Sequence, residues 1–104
     1  MVKKINLKIV TPERLVLEEI VDQVTLPTLE GEITILPEHI PVIVGLKSGD
    51  IVAMSGGESV PFVVSGGFVE VKTGADGNTE VAVLADFAEH VADLTDDAIE
   101  KAKA

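Results

Sequence analysis

The chain has 104 residues, a formal net charge of −10, no cysteine, tryptophan or tyrosine, and three phenylalanines. That length suits one domain, and the absence of thiols excludes a disulfide framework or a thiolate metal centre. The acids are scattered and repel nucleic-acid phosphates and anionic headgroups, and no apolar run approaches the roughly 20 residues that span a bilayer, so neither nucleic-acid binding nor lipid insertion is expected.

Hydrophobic residues make up 46% of the chain, with valine and isoleucine prominent, so the core should be aliphatic and β-branched. No leader-like apolar stretch precedes the first pattern. Met1 to Asn6 runs directly into an alternation of Ile5, Leu7 and Ile9 with Asn6 and Lys8, the period of a half-buried strand. Pro12 breaks it, because it lacks an amide hydrogen and holds Thr11 extended. Leu15 to Leu17 reads as a brief second strand. Ile20 to Leu26 reads as a third, with Asp22, Val24 and Leu26 on one face and Pro27 as its end.

Glu32 to Leu36 follows a Glu30-Gly31 turn as a fourth strand, and Pro41 to Leu46 is a nearly continuous apolar run. Ser55-Gly56-Gly57-Glu58 marks a hairpin between Ile51–Met54 and Pro61–Val64. Gly74 to Asn78 marks another between Phe68–Thr73 and Thr79–Leu84. This spacing of turns predicts an all-β protein, a sandwich or a barrel. Residues 1–86 form the expected β core. Residues 87–94 are an edge strand or connecting segment, with Phe87 to Ala92 open between a strand and a helical turn. Residues 95–104 begin a helix, with Thr95 as N-cap, Asp96 and Asp97 in the first turn, and Leu94 and Ile99 as a staple.

Chemistry-bearing patterns are sparse. His39 and His90 are the only histidines, and without cysteine a metal site would need carboxylates from distant loops. Ser65, His39 and an aspartate suggest a triad only on paper. No Gly-x-Ser-x-Gly elbow surrounds Ser65, and Ser65-Gly66-Gly67 reads better as a bend where a Cβ would obstruct close backbone packing. Glu30 and Glu32 flank Gly31 in the manner of paired glycosidase carboxylates, but the aromatic lining usual in a sugar cleft is missing. No phosphate-binding glycine motif occurs, and Asp76 to Glu80 falls short of a calcium loop. No catalytic residue, metal or cofactor is expected.

Several segments are more informative together. Ile9-Val10-Thr11-Pro12, Val24-Thr25-Leu26-Pro27, Gly31-Glu32, Ile35 to Pro41, Leu46-Lys47-Ser48-Gly49, Ser65 to Val71 and Val83-Leu84-Ala85-Asp86 are collinear with, and resemble, the N-terminal domain of the epsilon subunit of F-type rotary ATP synthases. The resemblance implies a flattened β-sandwich of about ten strands in two sheets, followed by a helical hairpin. It implies a non-catalytic place in the central stalk, seated on the c-subunit ring and against the gamma subunit, at the cytoplasmic face of a bacterial plasma membrane. In this likeness Thr28, Leu29, Glu30, Gly31 and Glu32 face the ring, where the two acids complement basic c-subunit loops. Thr11, His39, Pro41, Ile43 and Val44 face gamma, as an apolar patch centred on Ile43 and Val44 with a polar rim.

The sequence departs from the family in having Glu38 where glycine is common and Ser48 where proline is common, both at turns. Only the start of the first hairpin helix is present, so the inhibition and ATP binding of longer family members are not expected of it. The rival reading is a freestanding sandwich that binds a small ligand or carbohydrate. A concave pocket with convergent polar groups would favour the rival, whereas a flat apolar face near Ile43 would favour docking.

Overall fold

Residues 4–90 are described by a computed structural model of the chain, and among them the regular structure is all strand. The strands are β1 (Ile5–Val10), β2 (Leu15–Val21), β3 (Gln23–Thr28), β4 (Gly31–Ile35), β5 (Val42–Gly45), β6 (Gly49–Ser55), β7 (Glu58–Thr73) and β8 (Thr79–His90). The helix expected over 95–104 lies outside the described residues.

One hydrogen-bonded network joins the strands in the order β2-β1-β8-β7-β6-β3-β4, with β5 against β7. It becomes a sandwich because the two longest strands cross from one layer to the other. The first part of β7 pairs with β6, and its later part, Phe68 to Val71, pairs with β5. β8 accompanies β7 along its length but pairs with β1 only from Thr79 to Leu84. The first layer is therefore β2-β1-β8-β7-β5, and the second is β8-β7-β6-β3-β4. Each layer has five strands when β7 and β8 are counted in both, which reconciles eight strands among the described residues with ten in the sandwich.

The crossing depends on glycine. Inward positions on β7 are Phe62 and Val64 before the bend and Val69 and Val71 after it, so the burial phase switches in between. Gly67 has φ +114°, and a Cβ there would stand 2.1 Å from the Leu84 carbonyl oxygen. The close approach foreseen at Ser65-Gly66-Gly67 is thus between the two crossing strands. From both layers, Ile5, Leu7, Ile9, Val24, Leu26, Ile51 and Val83 join one buried cluster.

Two expected strand boundaries change. Ile20 to Leu26 is not continuous, because Asp22 bends the chain between β2 and β3. Its carboxylate accepts hydrogen bonds from the Lys4 ammonium and, at 2.9 Å, from the Gly56 amide. Val21 and Val24 are consequently the buried neighbours, and Asp22 does not share their face. Pro27 lies within β3 instead of ending it. The β3–β6 ladder stops at Thr25, and the Pro27 carbonyl accepts from the Lys47 amide at 2.8 Å. A residue without an amide hydrogen is tolerated where no ladder partner needs that donor. Phe87 to His90, for which the sequence left strand and helical turn open, are strand paired with Phe62 to Ser65.

The hairpins follow their turn residues. Gly56 and Gly57 both have positive φ between the paired Ser55 and Glu58, as a type I′ connection requires. At the β7–β8 turn the Asp76 carboxylate accepts from the Asn78 amide at 2.9 Å, an Asx turn that holds its pKa below the ordinary aspartate value.

Candidate functional site: the outer face of the first layer

The two outer faces differ. Five of the eight large apolar side chains exposed among the described residues lie on the outside of the first layer: Leu15, Ile20, Ile43, Phe68 and Leu84. The other three, Leu29, Leu36 and Ile40, are in connections, and none lies on the outside of the second layer. That second face carries Thr25 bonded to Thr34, with Gln23 and Glu32 nearby on the same strand pair.

Register explains the apolar arrangement. Leu15 is opposite Val10, Val10 opposite Leu84, and Leu84 opposite Phe68, which gives one row across four strands. Side chains directly opposite in a sheet project to the same side. Phe68 is also opposite Gly45, whose missing side chain leaves room for Leu29 from the β3–β4 connection. The Leu29 amide donates to the Gly45 carbonyl at 2.9 Å, which pins that connection to the end of the row.

The residues expected to face gamma are distributed along this layer. Ile43 points outward opposite Glu70 and is 69% exposed. Val44 is opposite the buried Val69 and packs against the core, so Ile43 and Val44 do not form one surface patch. Thr11 follows β1 at the Leu84 end, in a turn where its hydroxyl lies 3.3 Å from the Arg14 amide. His39 sits at the opposite end, because the adjacent Glu38 amide donates to Thr79, the residue that begins β8. Its Nδ1 is 2.7 Å from the Ile40 carbonyl. Pro41 is exposed next to β5. Thr11 and His39 thus mark the two ends of the face, and Ile43 lies between them.

Of the five residues expected to face the ring, Thr28 is buried. Its hydroxyl donates to the Gly31 carbonyl and accepts from the Glu30 amide at 3.1 Å, so it braces the turn from inside. Leu29, Glu30 and Glu32 are exposed around it, and Gly31 takes φ +111°. The loop and the apolar row meet through Leu29 and Gly45.

An open groove of about 630 Å³ crosses the His39 half of the same layer, lined by residues including Lys8, Glu18, Ile20, Lys72 and Glu80. Its charges alternate in sign along the register, with Lys8 opposite Glu18 and Lys72 opposite Glu80. Such a lining does not converge on a ligand of one charge. Ser65, opposite Phe87, and His39, beside Thr79, are separated by eight residues of β8, roughly 25 Å of strand, so they do not meet as a catalytic pair. Among the described residues no group of three or more histidines, cysteines and carboxylates is placed to hold a metal ion.

Phe68, Leu84, Val10 and Leu15 were not singled out from the sequence. The available signal was their alternation with Val69, Val83, Ile9 and Val16 in runs where both faces are apolar.

The geometry defines a β-sandwich domain with one apolar outer face and an acidic loop at its end. The sequence model of the family described as ATP synthase, Delta/Epsilon chain, beta-sandwich domain matches residues 4–91, and the chain belongs to that family. It is 46% identical over 104 residues to an ATP synthase epsilon chain of Desulforamulus reducens, covering 100% of this chain and 73% of that protein. It is 40% identical over 99 residues to the epsilon chain of Herpetosiphon aurantiacus, covering 95% and 69%. These relatives place it with the epsilon members of the family. Among solved structures, a chain of the Euglena gracilis mitochondrial ATP synthase OSCP/F1/c-ring assembly superposes with TM-score 0.79 at 26% identity, covering 98% of this chain and 62% of that one. A chain of the Tetrahymena thermophila central stalk and c-ring shares the fold, with TM-score 0.64 at 20% identity over 92% of this chain and 75% of that one.

Proposed function

We propose that this chain is a non-catalytic rotor subunit that joins gamma to the membrane c-ring, so that rotation of the ring turns the shaft. It works on the cytoplasmic face of the bacterial plasma membrane. The observation that carries the reading is the concentration of exposed apolar side chains on the first layer's outer face, with Ile43 on its edge strand β5. A face of that kind on a soluble domain marks a protein contact, with buried apolar anchors inside a polar rim. Glu30 and Glu32 stand at the end of the face, where exposed carboxylates meet the basic c-subunit loops.

The function requires binding alone. The chain transmits torque through two contacts, and no proton or phosphoryl group need pass through it. Tagged chain expressed in its own source should co-purify with gamma and with c subunits in one detergent-solubilised complex. Recovery of the tagged chain free of both, from cells whose ATP synthase is otherwise assembled, would refute the proposal.

A further inference from the structure

The row Leu15–Val10–Leu84–Phe68 has a length and a border that say what kind of surface it fits. Four strands at about 4.8 Å spacing make it roughly 14 Å long, and Leu29 over Gly45 extends it to roughly 19 Å. Phe68 is 58% exposed, and Leu84 and Leu15 are each 50% exposed. The row runs across the strands, so it is a narrow straight ridge one residue wide. Three turns of α-helix are about 16 Å long and present a single apolar stripe of the same form.

The border is acidic on both sides. Glu18 and Glu70 stand in the neighbouring row with Lys8, and Glu13 and Asp86 lie beyond the other edge with Arg14. The Arg14 guanidinium is bonded to Glu89 at 3.0 Å, which leaves Lys8 as the one cation of this border without an ion pair among the described residues. A partner surface with acidic flanks would be repelled, and one with basic flanks attracted.

From this ridge and border we infer that the partner seats an amphipathic helix here, with an apolar stripe and lysine or arginine on either side. This rests on the docking reading above and specifies the chemistry of gamma's contribution to it. Ile43 contacts gamma separately, one row away across β5.

The test uses the double substitution Phe68→Ser with Leu84→Ser, whose exposed positions leave the core intact. Calorimetry should show binding to isolated gamma weakened by about 100-fold, the loss of two large apolar anchors. A synthetic 14-residue leucine–lysine amphipathic helix should bind the wild-type chain and not the double variant, and a leucine–glutamate helix should bind neither. If the double variant binds gamma within twofold of wild type while Ile43→Asp does not, the helix seat is wrong and the docking reading survives. If both variants bind gamma normally, the docking reading itself falls. Deleting residues 91–104 supplies the last arm. An unchanged affinity for the leucine–lysine helix supports a partner's helix as occupant, and a tenfold gain would assign the row to the chain's own tail and overturn the inference.

Discussion

The amide of Glu38 donates a hydrogen bond of 2.6 Å to the hydroxyl of the buried Thr79, and it does so from a left-handed backbone with φ +70°. Leu36 to His39 is a turn closed by the His39 amide on the Leu36 carbonyl at 3.2 Å, with Pro37 and then a positive φ at Glu38, the pattern of a type II turn. Glycine suits that third position, because it adopts a positive φ without strain.

Glu38→Gly should therefore stabilise the domain by about 0.5 kcal/mol, because relief of the left-handed strain slightly exceeds glycine's entropic cost. Glu38→Val should destabilise it by about 1–2 kcal/mol. Thr79→Val keeps the shape but strands the Glu38 amide, at about 1–3 kcal/mol. Urea unfolding of the three variants checks the order.

Gly67→Ala should be far more harmful. A methyl group would meet the Leu84 carbonyl at 2.1 Å while the backbone holds φ +114°, and neither strand can retreat without breaking the ladder where β7 and β8 change layers. A loss of more than about 3 kcal/mol is expected, at the severe end of single substitutions. Gly56→Ala, at a tip with open space around it, should cost only the positive-φ strain, about 1 kcal/mol. Thermal melts of the two variants should differ accordingly.

Asp22 gives the fold a defined acid response. The Lys4 hydrogen bond first, and the Gly56 amide second, hold its carboxyl below the ordinary value of 3.8. A group with a depressed folded pKa contributes its stability in full above the unfolded value, and loses that contribution as pH falls through the folded value. The contribution should thus be intact at neutral pH and begin to fade below about 3.8. Asp22→Asn should lower the midpoint of unfolding at pH 7 and reduce the difference from wild type at pH 2.5. An equal difference at both pH values would rule the linkage out.

Much of this architecture could be read from the chain because its determinants are local. Alternation placed Ile5, Leu7 and Ile9 inward, and paired glycines marked both the hairpin at Gly56 and the crossing at Gly67. Pro27 misled because a proline's effect depends on whether its neighbour strand still pairs there, which is a property of register. The bend at Asp22 was hidden for a similar reason: it is held by Lys4 and Gly56, 18 and 34 residues away. The apolar row was hidden by composition. In Phe68-Val69-Glu70-Val71 and Val83-Leu84-Ala85 both phases contain apolar residues, and only the three-dimensional pairing shows that Phe68 and Leu84 face outward together. The Ile43–Val44 pair had the opposite fault, since adjacent strand residues face opposite sides.

The loop contact should be electrostatic and wet. Glu30→Lys with Glu32→Lys should leave the fold unchanged, since both side chains are exposed, and should slow assembly with the c-ring. The defect should be largest at low salt and shrink above about 0.5 M, where the screening length falls to a few ångströms. Pull-down of the ring across a salt series measures it, and normal assembly at low salt would remove the loop from the interface.

The most direct measurement of the docking account is binding of Ile43→Asp to isolated gamma, alongside its melting curve. Ile43 is 69% exposed, so the substitution should leave the domain folded at a cost of about 1 kcal/mol, from an aspartate in a strand directly opposite Glu70. Placed in an apolar contact, the new carboxylate must be desolvated without a partner, a penalty of several kcal/mol that should weaken binding by 100-fold or more. A folded Ile43→Asp chain that binds gamma with wild-type affinity would contradict the account.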